Sequence, residues 1–158
     1  NPEANLQRAV ELLRERCHVL ALSAVYQSPA YGFAQQPDFL DIAAKIETTL
    51  TPLDFKVTVL DPIEKACGRD RASQLHKDGP LPLDMDILLW DEDAFTFGDK
   101  PWRVPNKGIT KFAAVAIPLA EIAAAVLRPL EGVSIGTLAE RFPQAERDSV
   151  RIAPLVIR

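Results

Sequence analysis

Cysteine is scarce in this 158-residue chain: Cys17 and Cys67 are the only two, with no Cys-x-x-Cys and no histidine at ligand spacing. Each closes an apparent helix, so buried free thiols in a reducing compartment are expected, and neither a disulfide nor a zinc site. Glycine is also sparse, at seven. None of the seven builds a Walker loop or the glycine loop of protein kinases, which removes those nucleotide-binding classes. Long apolar runs are missing, and no signal-peptide pattern opens the residues, so a cytoplasmic location with no membrane partner is expected. There is no excess of positive charge: 18 basic against 22 acidic residues give −4 at pH 7, which argues against a general nucleic-acid binder. Internal repeats and low-complexity linkers are absent too. What is present is 47% hydrophobic residues, 25% charged residues and 13 prolines that mostly punctuate loops. That composition over residues 1–158 predicts one globular domain with a proper core.

Asn1-Pro2-Glu3 reads as an N-cap, a first-turn proline and an acidic first turn, opening a helix to about Arg16. Val19 to Gln27 reads as a strand, and Ser28 to Pro37 as a loop. From Asp38 the pattern alternates, with Leu40, Ile42, Ala44 and Ile46 on one face and Phe39, Asp41, Ala43 and Lys45 on the other. Thr51-Pro52-Leu53-Asp54 starts a second helix towards Cys67 and Gly68, which Pro62 should kink or split. A polar loop spans Gly68 to Pro82. Phe95 and Phe97 suggest a hairpin strand, and Trp102 to Pro105 a loop or edge strand. Ile109 to Ala125 is a helix interrupted by Pro118, Gly136 to Phe142 a short helix, and Val150 to Ile157 a closing strand. This order lacks a strict βαβ rhythm and predicts an α+β sandwich with a mixed or antiparallel sheet.

The most informative stretch is Pro80-Leu81-Pro82-Leu83-Asp84-Met85-Asp86-Ile87-Leu88-Leu89-Trp90. Its apolar run predicts a buried strand opened by two carboxylates. Residues two apart on a strand share a face, so Asp84 and Asp86 project together. Their mutual repulsion asks for a cation, and Mg²⁺ suits one or two carboxylates plus substrate phosphates. A pair simply fraying into solvent is the plainer alternative. The loop before it carries Arg69, Arg71, His76 and Lys77, cations of the kind phosphoryl transfer requires.

Four segments then occur together. They are Tyr26-Gln27-Ser28-Pro29-Ala30-Tyr31-Gly32, Gln36-Pro37-Asp38-Phe39-Leu40-Asp41, Gly79-Pro80-Leu81-Pro82-Leu83-Asp84-Met85-Asp86-Ile87, and Val104-Pro105 followed by Pro118-Leu119-Ala120-Glu121-Ile122. In order and spacing this set resembles the 6-hydroxymethyl-7,8-dihydropterin pyrophosphokinase family of folate biosynthesis. The resemblance implies a ferredoxin-like α+β fold and transfer of pyrophosphate from ATP to the pterin hydroxymethyl group, releasing AMP. It implies two Mg²⁺ ions held by Asp84 and Asp86, with Arg69 and Arg71 on a catalytic loop. Glu64, Ile87 and Lys77 are expected near the nucleotide, and Ser28, Pro29, Phe39 and Asp41 at the pterin. ATP and pterin are the expected partners of a monomer or weak dimer. The family's first strand, which precedes the first helix, does not occur among these residues; either the natural N-terminus lies further upstream or the element is lost.

The sequence departs from the family pattern inside the site. Leu81 and Phe112 stand where the resemblance implies arginines, Asn106 for a histidine after Val-Pro, and Ala114 for a ring against the pterin. Asp41 replaces asparagine: it accepts hydrogen bonds from a pterin amino group and ring N–H but, when ionised, donates none. Lys77, His76, Lys107 and Lys111 are candidate replacements for the lost cations, although lysine offers a point charge where arginine offers a fork. The leading reading is a Mg²⁺-dependent pyrophosphokinase, because Asp84, Asp86, Glu64, Arg69 and Arg71 occur together. The alternative is a degenerate paralogue that binds a pterin or nucleotide without turnover, or an interaction module using an exposed sheet edge.

Overall fold

A computed structural model of the chain describes residues 1–30, 35–70, 81–129 and 131–158. The first helix, α1 (Pro2–Arg16), starts as its sequence predicts. The Asn1 side chain accepts from the N–H groups of Glu3 and Ala4, and Leu6, Ala9, Val10, Leu12 and Leu13 form the buried stripe.

The strand predicted over 19–27 divides into β1 (His18–Leu22) and β2 (Tyr26–Ser28). Likewise the alternating stretch from Asp38 divides into β3 (Phe39–Asp41) and β4 (Ala44–Glu47). Side chains substitute for the ladder at these breaks. Ser23 Oγ accepts the Ala43 N–H at 2.9 Å, and Glu121 Oε2 accepts the Ala24 N–H at 2.6 Å. The break also shifts the facing: Ala43 is buried and Ala44 exposed, the reverse of simple alternation. β1 pairs with β4, while β2 lies between β3 and β9 (Arg151–Ile152); all of these pairings are antiparallel.

The second helix runs as α2 (Pro52–Phe55), a π-helical turn (Lys56–Leu60) and α3 (Asp61–Ala66). Thr51 caps it, accepting the Asp54 N–H at 3.2 Å. Proline has no N–H, and its ring crowds the carbonyl four residues back, here that of Thr58. The widened turn lies just before Pro62, with Asp61 N–H reaching the Lys56 carbonyl, and the Thr58 carbonyl accepts from Arg16 Nη1 at 3.4 Å. The kink expected at Pro62 therefore takes the form of a π turn.

Beyond residue 90 come a hairpin, β5 (Phe95–Phe97) with β6 (Trp102–Val104), and helices α4 (Gly108–Lys111) and α5 (Ala113–Ala123). Pro118 sits inside α5 without ending it. β7 (Leu127–Arg128), β8 (Val133–Ser134), α6 (Ile135–Glu140) and α7 (Gln144–Ser149) complete the order. α7 has no counterpart in the sequence reading, and of the closing strand only Arg151 and Ile152 are paired. The whole is an α+β fold in which every ladder among the described residues is antiparallel.

Three cores lie under these elements: a small one gathers Leu6, Val25 and Ala153, with Leu83 also packed on it, and two are larger. One joins α1 to the second helix through Leu12, Leu13, Phe55, Val59, Leu60 and Ile63; the other joins Ile109, Leu119, Ile135 and Leu138. Residues 83–90 run between them. Leu83, Met85, Ile87 and Trp90 pack on the first core, and Leu88 and Leu89 on the second.

Candidate active site

Residues 83–90 alternate as a strand does, with Asp84 and Asp86 exposed and Leu83, Met85 and Ile87 turned inward. No strand pairs with them among the described residues, and several of their backbone groups are bonded in another way. Side chains supply most of the bonds. Asn5 Nδ2 donates to the Pro82 carbonyl at 2.9 Å, just ahead of the run. Glu64 Oε1 accepts the Met85 N–H at 2.7 Å, and Lys56 Nζ donates to the Met85 carbonyl at 3.2 Å. Asn106 Nδ2 donates to the Ile87 carbonyl at 3.4 Å, and its own N–H donates to the Leu88 carbonyl at 2.8 Å.

An ionic network grows from this backbone. Arg69 Nη1 lies 2.6 Å from Asp84 Oδ1 and 2.9 Å from Glu64 Oε1. Lys56 Nζ lies 3.7 Å from Glu64 Oε1 and 3.2 Å from Asp61 Oδ1. The Glu64 side chain is 2% exposed and that of Lys56 8%, against 51% for Asp84. Glu64 is thus no solvated helix-end carboxylate, and Arg69, its side chain 12% exposed, is no ordinary surface charge. Although the Asp86 residue is exposed, the protein around its carboxyl partly desolvates it and pushes it up, and the charges of Asp84 and Glu64 add to that; Lys56 and Arg69 pull the other way. Burial lowers Arg69, but the hydrogen bond to Asp84 and the charges of Asp84, Glu64 and Asp86 more than reverse it.

The second half of the site lies on β3. Phe39 and Asp41 are half-buried, and Ser28 Oγ donates to Asp41 Oδ2 at 3.4 Å. Burial pushes the Asp41 carboxyl up to about 6, against a lowering by the Ser28 hydrogen bond. Phe39 and Asp41 line a cavity of about 900 Å³ together with Leu81, Asp84, Asp86 and Ile87. The structure therefore brings both expected halves, β3 and the carboxylate run, to one opening. Pro29 is exposed and Ser28 buried beneath the Asp41 carboxyl. Arg71, His76 and Lys77 lie outside the described residues. Of the other candidate cations, Lys107 is exposed and Lys111 Nζ sits 5.3 Å above the Phe112 ring.

Two carboxylates projecting together, one with its charge opposed by the other, form a hard oxygen donor set that suits Mg²⁺. Among the described residues no group of three or more potential ligands is present. Lys56 is the site residue that sequence reasoning missed. Its signal is positional: it precedes Val59, Leu60, Ile63 and Cys67 at helical spacing, on the stripe that faces the core.

Comparison with known proteins adds an independent line. Residues 1–124 match the family described as 7,8-dihydro-6-hydroxymethylpterin-pyrophosphokinase. The chain is 32% identical over 123 residues to the 2-amino-4-hydroxy-6-hydroxymethyldihydropteridine pyrophosphokinase of Aquifex aeolicus, covering 78% of this chain and 73% of that protein. The enzyme of the same name from Haemophilus influenzae is 30% identical over 155 residues, or 97% of this chain and 91% of that protein. That of Pseudomonas aeruginosa is 34% identical over 125 residues, 77% and 73% respectively.

Proposed function

The chain belongs to the 7,8-dihydro-6-hydroxymethylpterin-pyrophosphokinase family, and from that premise we propose that it transfers pyrophosphate from ATP to the hydroxymethyl group of 6-hydroxymethyl-7,8-dihydropterin. AMP is the second product, and the reaction belongs to folate biosynthesis. The observation that carries this reading is the convergence of Asp84, Asp86, Phe39 and Asp41 on one cavity, with Arg69 anchored on Asp84.

Asp84 and Asp86 are the residues that hold Mg²⁺, and two ions with ATP is the expected complement. When bound, the metal neutralises phosphate charge and makes the pterin hydroxyl a better nucleophile. The chain's own residues bind and orient. Glu64 and Asp84 both hold Arg69 through Nη1, and in this reading the guanidinium supplies positive charge for the phosphates. Arg71 and Lys77 belong to the same reading, as further cations for charge that develops during transfer. Ile87, which lines the same cavity, belongs to the nucleotide side of this reading. Phe39 offers a ring face to the pterin, Asp41 accepts from the pterin's amino group and ring N–H, and Ser28 and Pro29 border that subsite. Holding both substrates in line is the main catalytic contribution of such a site.

The same reading makes residues 1–158 one ferredoxin-like domain that works in the cytoplasm as a monomer or weak dimer, without nucleic acid or membrane. Among the described residues, no helix is long and apolar enough to cross a membrane. The test is AMP release from Mg-ATP with and without the pterin. Pterin-dependent AMP is expected from the wild type, falling at least about 100-fold in Asp84→Ala. A wild type that binds Mg-ATP and the pterin but releases no AMP overturns the reading in favour of a non-catalytic paralogue.

A further inference from the structure

Lys56 takes no part in the reaction as described, yet it is among the most buried charged side chains described, at 7% exposure. It opens the π-helical turn, a local geometry often associated with functional sites. Its ammonium is held by Asp61 Oδ1 at 3.2 Å and Glu64 Oε1 at 3.7 Å, and it donates to the Met85 carbonyl at 3.2 Å. Glu64 Oε1 takes the Met85 N–H at 2.7 Å. Both hydrogen-bonding groups of the single residue between Asp84 and Asp86 are therefore bound by one ion-paired couple on one helix. In an extended chain the N–H and C=O of one residue point to the same edge, so the couple occupies the place of a neighbouring strand's paired carbonyl and amide.

The geometry points to Lys56 as a positioning residue for the metal site: together with Glu64 it clamps the Met85 peptide groups and thereby fixes the relative placement of the Asp84 and Asp86 carboxylates. This rests on the reading that those carboxylates hold the metal. A clamp and a bare charge predict opposite effects. Lys56 carries positive charge near a cation site, so removing it on charge grounds alone strengthens cation binding. Removing an orienting partner weakens binding, commonly by about 10- to 100-fold for groups that hold metal ligands in place.

The test is titration with Mn²⁺ alone, followed by electron paramagnetic resonance of the free ion, on the full chain. Lys56→Met is expected to weaken Mn²⁺ binding at least about 10-fold. Because that variant leaves the buried Glu64 with one cation fewer, the double variant Lys56→Met/Glu64→Gln is measured beside it. The double variant removes both charges and keeps an acceptor for the Met85 N–H, yet still lacks a donor to the Met85 carbonyl. It too is expected to bind Mn²⁺ more weakly than wild type. Val59→Ala, buried on the same helix but without polar contact to Met85, lowers stability and leaves Mn²⁺ affinity unchanged, which separates positioning from simple destabilisation. Unchanged or tighter binding in both Lys56 variants overturns the inference and leaves the metal assignment standing. If Asp84→Ala binds Mn²⁺ as the wild type does, the metal assignment falls, and the inference with it.

Discussion

Asp41 is the residue whose environment most clearly contradicts its chemistry. A carboxylate on a half-buried strand, with one long hydrogen bond from Ser28 at 3.4 Å, is poorly compensated. Its folded pKa lies above its ordinary value, so the folded state binds the proton more tightly than the unfolded chain does. The stability linked to that proton is fully present below about pH 4 and is lost as pH rises through about 6. The rise from 3.8 to about 6 corresponds to at most about 3 kcal/mol. Asp41→Asn is therefore expected to stabilise the protein by about 1–3 kcal/mol at pH 8 and to do nothing at pH 4, measured by urea unfolding at both. An equal gain at both pH values would remove the buried charge as the cause. The sequence marked Asp41 only through its place on a resembling motif; its burial arises from β2 and β3 meeting, which no local pattern encodes. Glu64 and Lys56 show the same limit more sharply. The resemblance marks Glu64 and the helical stripe marks Lys56, but only the arrival of Met85 from twenty or more residues away makes the pair a clamp.

At the scale of elements, helices were legible where a cap and an apolar stripe coincide, as at Asn1 and Thr51. Strands were less so. β1 to β4 carry the expected residues, yet Ser23 and Glu121 bind backbone groups that a longer ladder would have used, and each predicted strand breaks there. The hairpin β5–β6 allows a direct test of local geometry. Gly98 has φ +76°, and a Cβ there would lie 2.5 Å from Trp102 Cε3. At Gly132, with φ +66°, no atom of the described residues lies within 4 Å of the same added atom. Both Gly→Ala substitutions incur the left-handed backbone cost of about 1 kcal/mol, but only Gly98→Ala must also displace an indole. Gly98→Ala is expected to lose about 2–4 kcal/mol and to change the near-ultraviolet dichroism of tryptophan, while Gly132→Ala loses about 1 kcal/mol with that spectrum intact. Equal losses would show that the Trp102 ring yields freely.

For the molecule as a whole, the carboxylate run is a seam between two cores. Leu83, Met85, Ile87 and Trp90 are held by the core around Ile63, and Leu88 and Leu89 by the core around Ile109. Both isoleucines are fully buried. A seam of eight consecutive residues that packs to both sides, and is hydrogen-bonded to the second helix by Glu64 and Lys56 and to Asn106 ahead of α4, leaves neither core a separable unit. Ile63→Ala and Ile109→Ala are each expected to lose about 2–5 kcal/mol. In both variants tryptophan fluorescence and far-ultraviolet dichroism should follow one coincident unfolding transition. Trp90 reports the first core through its edge contact with Phe55, centroids 6.2 Å apart, so an independent second core would unfold in Ile109→Ala before that fluorescence changed. Coincidence carries a consequence for the site: the segment bearing Asp84 and Asp86 unfolds together with both cores, not ahead of either, so the metal pair keeps its placement until the molecule unfolds as a whole.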